Sequence, residues 1–477
     1  MIEDAQYAPH LDINLNNNPL SEALRVELYT STLLEKLTVN ADVMANFWEL
    51  PLFYQTTQLR QLTEIHIPAS QTYFLYNKIM SLILFGYVKR NPFSAQMRGL
   101  GDKIAAAMRA GKYYGFSSES TYTAPSALVH GESGTGKTTV IRRTLKQIPQ
   151  TIQHNSYRGK HFTKKQIVWL SFDLPPNGSP KAMVNNFIRA VDKALENDFE
   201  ESYAKQWVDG NGKYSVDKLM AVMQNIAMQH CVGLVHIDEL QFMLGYHKVK
   251  DSPSLQVLEA LFNKISIPLL LSSTTRGVEI FNTLKADDHR LGHDITIVRR
   301  MLNDREFRLS PYPLESKSFE RLFDALFPPG IILNDDTEQR DVFTKQFHKL
   351  SCGLPAIMTR LAHQFHETLV NILQQPENRH KYTTSFDVEL LNKVFKNQFH
   401  LIEPALVALR AGNAATYESK VRDNDVKKAV YSNAEVQALE KAKRTQLSPQ
   451  PKVLKFDDAP QEGIGLIESA FLKDKQK

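Results

Sequence analysis

Cysteine is scarce: Cys231 and Cys352 are the only two in 477 residues. That excludes a disulfide framework, and with no CxxC and no zinc-type Cys/His spacing it excludes a structural zinc scaffold as well. Two isolated thiols suit a reducing compartment, and Cys231, opening the apolar run CVGLVHI, reads as a core residue. Long apolar runs are also missing. The longest, such as Met80–Val88, fall well below the roughly 20 residues that cross a bilayer, so no membrane partner is expected. The start, MIEDAQY, lacks the basic and apolar segments of a signal peptide. Glycine and proline, 21 and 22 residues, are too few for a fibrous chain. The net charge of +5 permits an anionic partner without requiring one. What is present is an ordinary globular composition, 42% hydrophobic and 23% charged, in a chain long enough for two to four domains at about 150 residues each.

The pattern changes along the chain. Residues 1 to about 60 are polar with short helical stretches, and 68–88 reads as a helix with a broad apolar face, stopped near Gly86 with Pro92 beyond. From about 126, short apolar strands alternate with helices. Strands are expected at 127–130, 167–172, 233–237, 267–271 and 305–309, with helices at 137–147, 181–195, 216–228 and 255–265. Such alternation predicts a parallel five-stranded sheet with helices on both faces. After Pro313 only helical patterns remain, at 316–326, 337–350, 355–373 and 385–394. From about 411 the chain turns polar, and 412–460 reads as linker-like or only locally helical, while GIGLIESAFL near the end is either a docking peptide for a partner or a frayed helix.

Chemistry concentrates at Gly131-Glu132-Ser133-Gly134-Thr135-Gly136-Lys137-Thr138, followed by Thr139. The GxxxxGK[ST] pattern sits between an apolar strand and a helix, the setting that lets backbone N–H groups and a helix N-terminus hold phosphates. Lys137 is placed for the β and γ phosphates and Thr138 for Mg²⁺. Downstream, the strand LVHI runs into Asp238 and Glu239. Asp238 is the expected Mg²⁺ ligand and Glu239 the base that polarises water. The Asp-Glu pair and the absence of an NKxD motif favour ATP over GTP. The wide spacing from Lys137 to Asp238 leaves room for one intervening strand and at least two helices, which fits a sheet with an extra strand between the two motifs. The strand after that ends in Ser272-Ser273-Thr274-Thr275. Thr274 there is the candidate γ-phosphate sensor, the alternative being ordinary capping of a strand end. Arg299 and Arg300 lie just before the last strand, either as arginine fingers reaching a neighbouring subunit or as a solvated basic turn. Arg360, on the helix after Gly353-Leu354-Pro355, could reach the phosphates from the helical region but reads more readily as a surface or packing arginine. Basic residues between Arg142 and Lys165 form either a phosphate-tracking face or a solvated one. Ser179 and Lys181, opening a helix at NGSPK, are the candidate DNA-backbone contacts.

These residues, with GYVKRNP at 86–92, GESGTGKTT at 131–139, NGSPK at 177–181, VHIDELQ at 235–241, IPLLLSSTTRGVEIF at 267–281, LVALRAG at 406–412 and GIGLIESAF near the end, resemble TnsC, the AAA+ ATPase regulator of heteromeric DNA transposons, and more distantly TniB. The chain departs where relatives often carry Gly-Thr-Pro: it has Ser273-Thr274-Thr275. The resemblance implies an AAA+ P-loop fold with a helical lid. Residues 1–100 would be an N-terminal helical interaction region, 101–314 the ATPase core, 315–411 the lid and 412–477 a flexible tail with a partner-docking peptide. It implies a bacterial cytoplasmic ATPase using ATP and Mg²⁺. Such a protein forms a homo-oligomeric ring or filament on double-stranded DNA without sequence preference, and bridges a target-site selector to transposase and endonuclease subunits. The rival expectation is a signalling or scaffold ATPase that oligomerises on a protein ligand without DNA. A small-molecule P-loop kinase fits less well, because no acceptor-binding pattern is evident.

Overall fold

Five apolar segments pair side by side into one sheet, and every pairing in it is parallel. The computed structural model describes residues 2–110, 114, 125–176, 180–198, 200–209, 214–242, 267–278, 306–334, 336–378 and 385–421. Its strands are β1 (Ile2–Asp4), β2 (Ser126–Gly131), β3 (Thr151–Tyr157), β4 (Lys160–Ile167), β5 (Trp169–Asp173), β6 (Leu234–Asp238), β7 (Leu269–Thr274) and β8 (Glu306–Leu309). The large sheet has the order β5-β6-β7-β2-β8. Strand β7 therefore lies between β2, which carries the Gly-rich loop, and β6, which ends in Asp238. The strand of this sheet that lies in sequence between the two motifs is β5 at the sheet edge, and the strand between them in the sheet is β7, which follows Asp238.

Burial on both faces explains the near-continuous apolar runs of these strands. Leu128, Val235, Ile237 and Leu271 point to one core, with Val184, Phe187, Leu219 and Met223 from the Pro180–Leu195 and Val216–Gln229 helices. Ala127, Val129, Leu234 and Leu270 point to the other, against Ile141 and Leu145 of the Lys137–Leu145 helix and Ile79, Ile83 and Tyr87 of the Thr72–Val88 helix. The expected 255–265 helix lies outside the described residues.

A second, three-stranded sheet has the order β1-β3-β4, with β3 and β4 an antiparallel hairpin. The sequence reading placed no strands between 147 and 167. The hairpin's outward positions, such as Lys160, His161, Thr163 and Lys164, are polar and exposed, so its alternation carries little apolar signal. The basic residues expected to form a face from Arg142 to Lys165 lie partly on this hairpin.

The helices Lys317–Leu326, Thr337–Ser351, Pro355–Leu373 and Val388–Gln398 build a separate aromatic core. Ser316, Asp336 and Asp387 cap three of them by accepting backbone N–H bonds in the first turn. Phe323 and Phe327 stack with ring centres 4.6 Å apart, and Phe343, Phe347 and Phe365 close around them. The N-terminal residues divide between the cores. Leu20, Leu33 and Leu37 join the sheet side, whereas Phe47, Leu59, Leu62 and Ile65 join the lid. At the other end, residues 414–421 form a further helix within the stretch read as linker, and its Tyr417 is buried in the lid core. Among the described residues no helix is long and apolar enough to cross a membrane.

Candidate nucleotide site

The Gly-rich loop begins where β2 ends. A Cβ on Gly131 would lie 2.0 Å from the Leu309 carbonyl oxygen of β8, so only glycine lets the loop leave the sheet there. Gly136, with φ +86, is the left-handed residue that turns the loop into the Lys137–Leu145 helix. Glu132 is buried and ion-paired with Arg308 at 3.1 Å, and the Thr135 hydroxyl donates to the Glu132 carbonyl at 2.8 Å. These bonds hold the loop's shape from beneath. Lys137 Nζ donates to the Gly131 and Glu132 carbonyls at 2.8 and 3.0 Å. Burial lowers its pKa, opposed by the nearby carboxylates of Glu418, Glu239, Asp238 and Glu132.

Across the loop, Thr138 and Asp238 meet although 100 residues separate them: the Thr138 hydroxyl donates to Asp238 Oδ2 at 2.7 Å. The other carboxylate oxygen accepts from the Ser272 hydroxyl and from the Glu239 N–H. Ser272 also bonds His236 Nε2 at 2.8 Å, and His236 Nδ1 meets Ser171 at 2.8 Å. A hydroxyl that donates to Asp238 must accept from Nε2–H, so Nε2 of His236 carries a proton. Burial pushes the ring's pKa down to about 4. Burial raises the Asp238 carboxyl, but His236 and the donors Ser272, Thr138 and Glu239 N–H outweigh it and hold the carboxyl below its usual range. A hydroxyl and a carboxylate so close are hard oxygen donors of the kind Mg²⁺ takes while keeping most of its waters. Thr138 and Asp238 would therefore hold Mg²⁺, which when bound neutralises charge on the phosphate oxygens.

Glu239 follows with φ +61, a left-handed conformation rare for a side chain of this size. That turn lifts its carboxylate out of the strand line. Burial, then the Asp238 charge, raise its pKa, which makes it a stronger base. Gln241 spans the gap to the neighbouring strand. Its amide NH₂ donates to Glu239 Oε2, and its Oε1 accepts from Thr274 N at 3.1 Å and Ser273 Oγ at 3.2 Å. Thr274 thus stands at the tip of β7 beside the Glu239 assembly.

A cavity of about 420 Å³ opens beside Thr135 and Gly136. Ile65, His66, Ile67, Val140, Tyr312, Pro355 and Thr359 are among its walls, so it lies between the N-terminal segment, the loop helix and the lid. Size and partly apolar lining fit the base and ribose of a nucleotide whose phosphates enter the loop. The lid is tied to the loop directly, Ala356 N donating to Gly134 O at 3.1 Å.

The structure brings Gly131–Thr139, Asp238, Glu239 and Thr274 to one place. Lys181 lies elsewhere, exposed in the first turn of the Pro180–Leu195 helix; Ser179, Arg299 and Arg300 lie outside the described residues. Arg360 sits over the Phe399 ring at 5.3 Å and also lines the cavity beside the Gly-rich loop. Sequence reasoning missed Gln241, Ser272, His236, Glu418 and the cavity walls. Gln241 and Ser272 fell inside quoted motifs, but nothing local marked their contacts.

Residues 120–281 match a protein-family model described as an AAA domain. The parallel five-stranded sheet agrees with the α/β P-loop fold of such a domain. No curated protein matches the chain. Among solved structures the chain is similar to Drosophila ORC bound to DNA, at 15% identity and TM-score 0.27 over 68% of this chain and 67% of that one. It is also similar to a Walker-type ATPase of Pyrococcus abyssi, at 14% identity and TM-score 0.32 over 65% of this chain and 74% of that one.

Proposed function

We propose that the chain hydrolyses ATP and uses the nucleotide to control its assembly on duplex DNA, as a TnsC-like regulator linking a target-site selector to a transposase. The observation that carries the ATPase half is the convergence of Thr138, Asp238, Glu239 and Gln241 around the Gly-rich loop. In this reading Lys137 leaves the loop carbonyls for the phosphates, Glu239 takes a proton from the attacking water, and Gln241 fixes its carboxylate. Thr274 senses the γ-phosphate, and Arg299 or Arg300 serves a neighbouring subunit's site. Residues 1–100 face the selector, and the tail from 412 carries the transposase contact.

The DNA half rests on the motif resemblance and on Lys181, exposed at the N-terminal end of a 16-residue helix. With Ser179 it would hold a backbone phosphate without reading bases. Anisotropy titrations on short duplexes test it. Lys181→Ala is expected to weaken binding for all sequences alike and to flatten the salt dependence by about one contact. An unchanged affinity and salt slope would remove Lys181 from the interface.

A further inference from the structure

Glu418 stands on the Gly-rich loop, far from it in sequence. Its Oε1 accepts the Ser133 N–H at 2.6 Å, the carboxylate side chain is buried, and it is the first of the carboxylates acting on Lys137. The preceding residue fastens the same helix to the same loop residue: the Tyr417 hydroxyl donates to Ser133 O at 2.8 Å. Burial raises the Glu418 carboxyl, and the Ser133 N–H, Lys137 and Arg276 oppose that. A buried carboxylate on a loop N–H and beside the loop lysine occupies the setting in which such loops bind phosphate oxygens, because Lys137 is the group that reaches the β and γ phosphates.

We infer that Glu418 stands in for the γ-phosphate and sets the preference of the site between nucleoside triphosphate and diphosphate; this rests on the nucleotide reading given above. A diphosphate leaves the Ser133 N–H to Glu418. A triphosphate must displace it, since two anions cannot share one N–H and one lysine at that range. Displacement also breaks the Tyr417 tether, so the 414–421 helix moves with the arrival of ATP and not of ADP.

The test uses the full-length chain and calorimetric affinities for MgATP and MgADP. In Glu418→Ala the affinity for ATP is expected to rise about tenfold and that for ADP less than about twofold, a tenfold change being about 1.4 kcal/mol. Glu418→Gln keeps the shape and the acceptor while removing the charge, and is expected to lie between the two. Thermal melts establish that each variant is folded. Hydrogen exchange adds a second readout: amides of 414–421 lose protection in wild type with ATP and keep it with ADP. An ATP-to-ADP affinity ratio unchanged in both folded variants would overturn the inference and leave the nucleotide site standing. A wild-type chain that binds neither nucleotide would overturn both.

Discussion

The Thr138 hydroxyl and the Asp238 carboxylate, 2.7 Å apart and on two different elements, tie the Gly-rich loop to the tip of β6. The pair is the smallest unit that explains why both motifs are needed. Thr138→Ala is expected to cut Mg²⁺-dependent ATP turnover about ten- to hundredfold and to raise the Mg²⁺ concentration for half-activity, by loss of a ligand. Thr138→Ser, which keeps the hydroxyl, is expected to restore most of it. Equal Mg²⁺ requirements in wild type and Thr138→Ala would remove the hydroxyl from the metal site.

Glu239 and Gln241 separate catalysis from binding. Glu239→Gln is expected to bind ATP as tightly as wild type while kcat falls by about 10²- to 10⁴-fold, the usual contribution of a positioned base. Gln241 acts on the reaction only through Glu239 and the β7 tip. Gln241→Ala is therefore expected to lower kcat severalfold with KM nearly unchanged. Gln241→Glu, which places a like charge beside the base, is expected to lower it further and to shift the acidic limb of the rate profile toward higher pH. Steady-state kinetics across pH separates these outcomes.

The nucleotide motifs were legible in the sequence because each is local: the glycines, Lys137 and Thr138 lie within one turn, and Asp238 and Glu239 end an apolar strand. The sheet was legible because strands buried on both faces read as apolar runs. What was hidden depends on contacts between distant residues. Gln241 gains its meaning only when β7 lies beside β6, and Glu418 only when a helix from a polar stretch folds onto the loop. The N-terminal residues read as a region of their own, yet Leu33 and Phe47 enter two different cores. No periodicity within 1–100 records where its apolar residues will dock.

GYVKRNP shows how a specific motif can be structural. Arg90 is buried and donates to the carbonyls of Val232 at 2.5 Å and Gly86 at 3.1 Å, while Tyr87 OH donates to Cys231 O at 2.9 Å. A Cβ on Gly86 would meet Pro268 Cγ at 2.9 Å. The motif clamps the end of the Thr72–Val88 helix onto the segment that leads into β6. Arg90→Met, leaving these carbonyls without this donor, is expected to cost about 2–4 kcal/mol of stability, measured by denaturant unfolding with ATP affinity as a control for the folded fraction.

His366 makes the lid acid-sensitive. It is fully buried among Phe327 and Phe365, with Nε2 on the Leu326 carbonyl at 3.0 Å. Burial pushes its pKa down to about 4, against about 6.5 when unfolded. Between these values the unfolded chain binds the extra proton, so the stability present above pH 6.5 is lost as pH falls toward 4. Going from pH 7.5 to 5.5 is expected to cost about 1.4 kcal/mol through this residue. His366→Phe should shrink the wild-type difference between those two pH values by about that amount in denaturant unfolding.

The central claim is that ATP held by the Gly-rich loop drives assembly on DNA. The most direct measurement is co-sedimentation of the full-length protein with duplexes of increasing length, with ATP, ADP or no nucleotide, beside Lys137→Ala. The account predicts complexes that grow with duplex length only with ATP, persist longer in Glu239→Gln, and are absent in Lys137→Ala. Assembly that is indifferent to nucleotide and to Lys137, or that forms with ATP equally well without DNA, would contradict it.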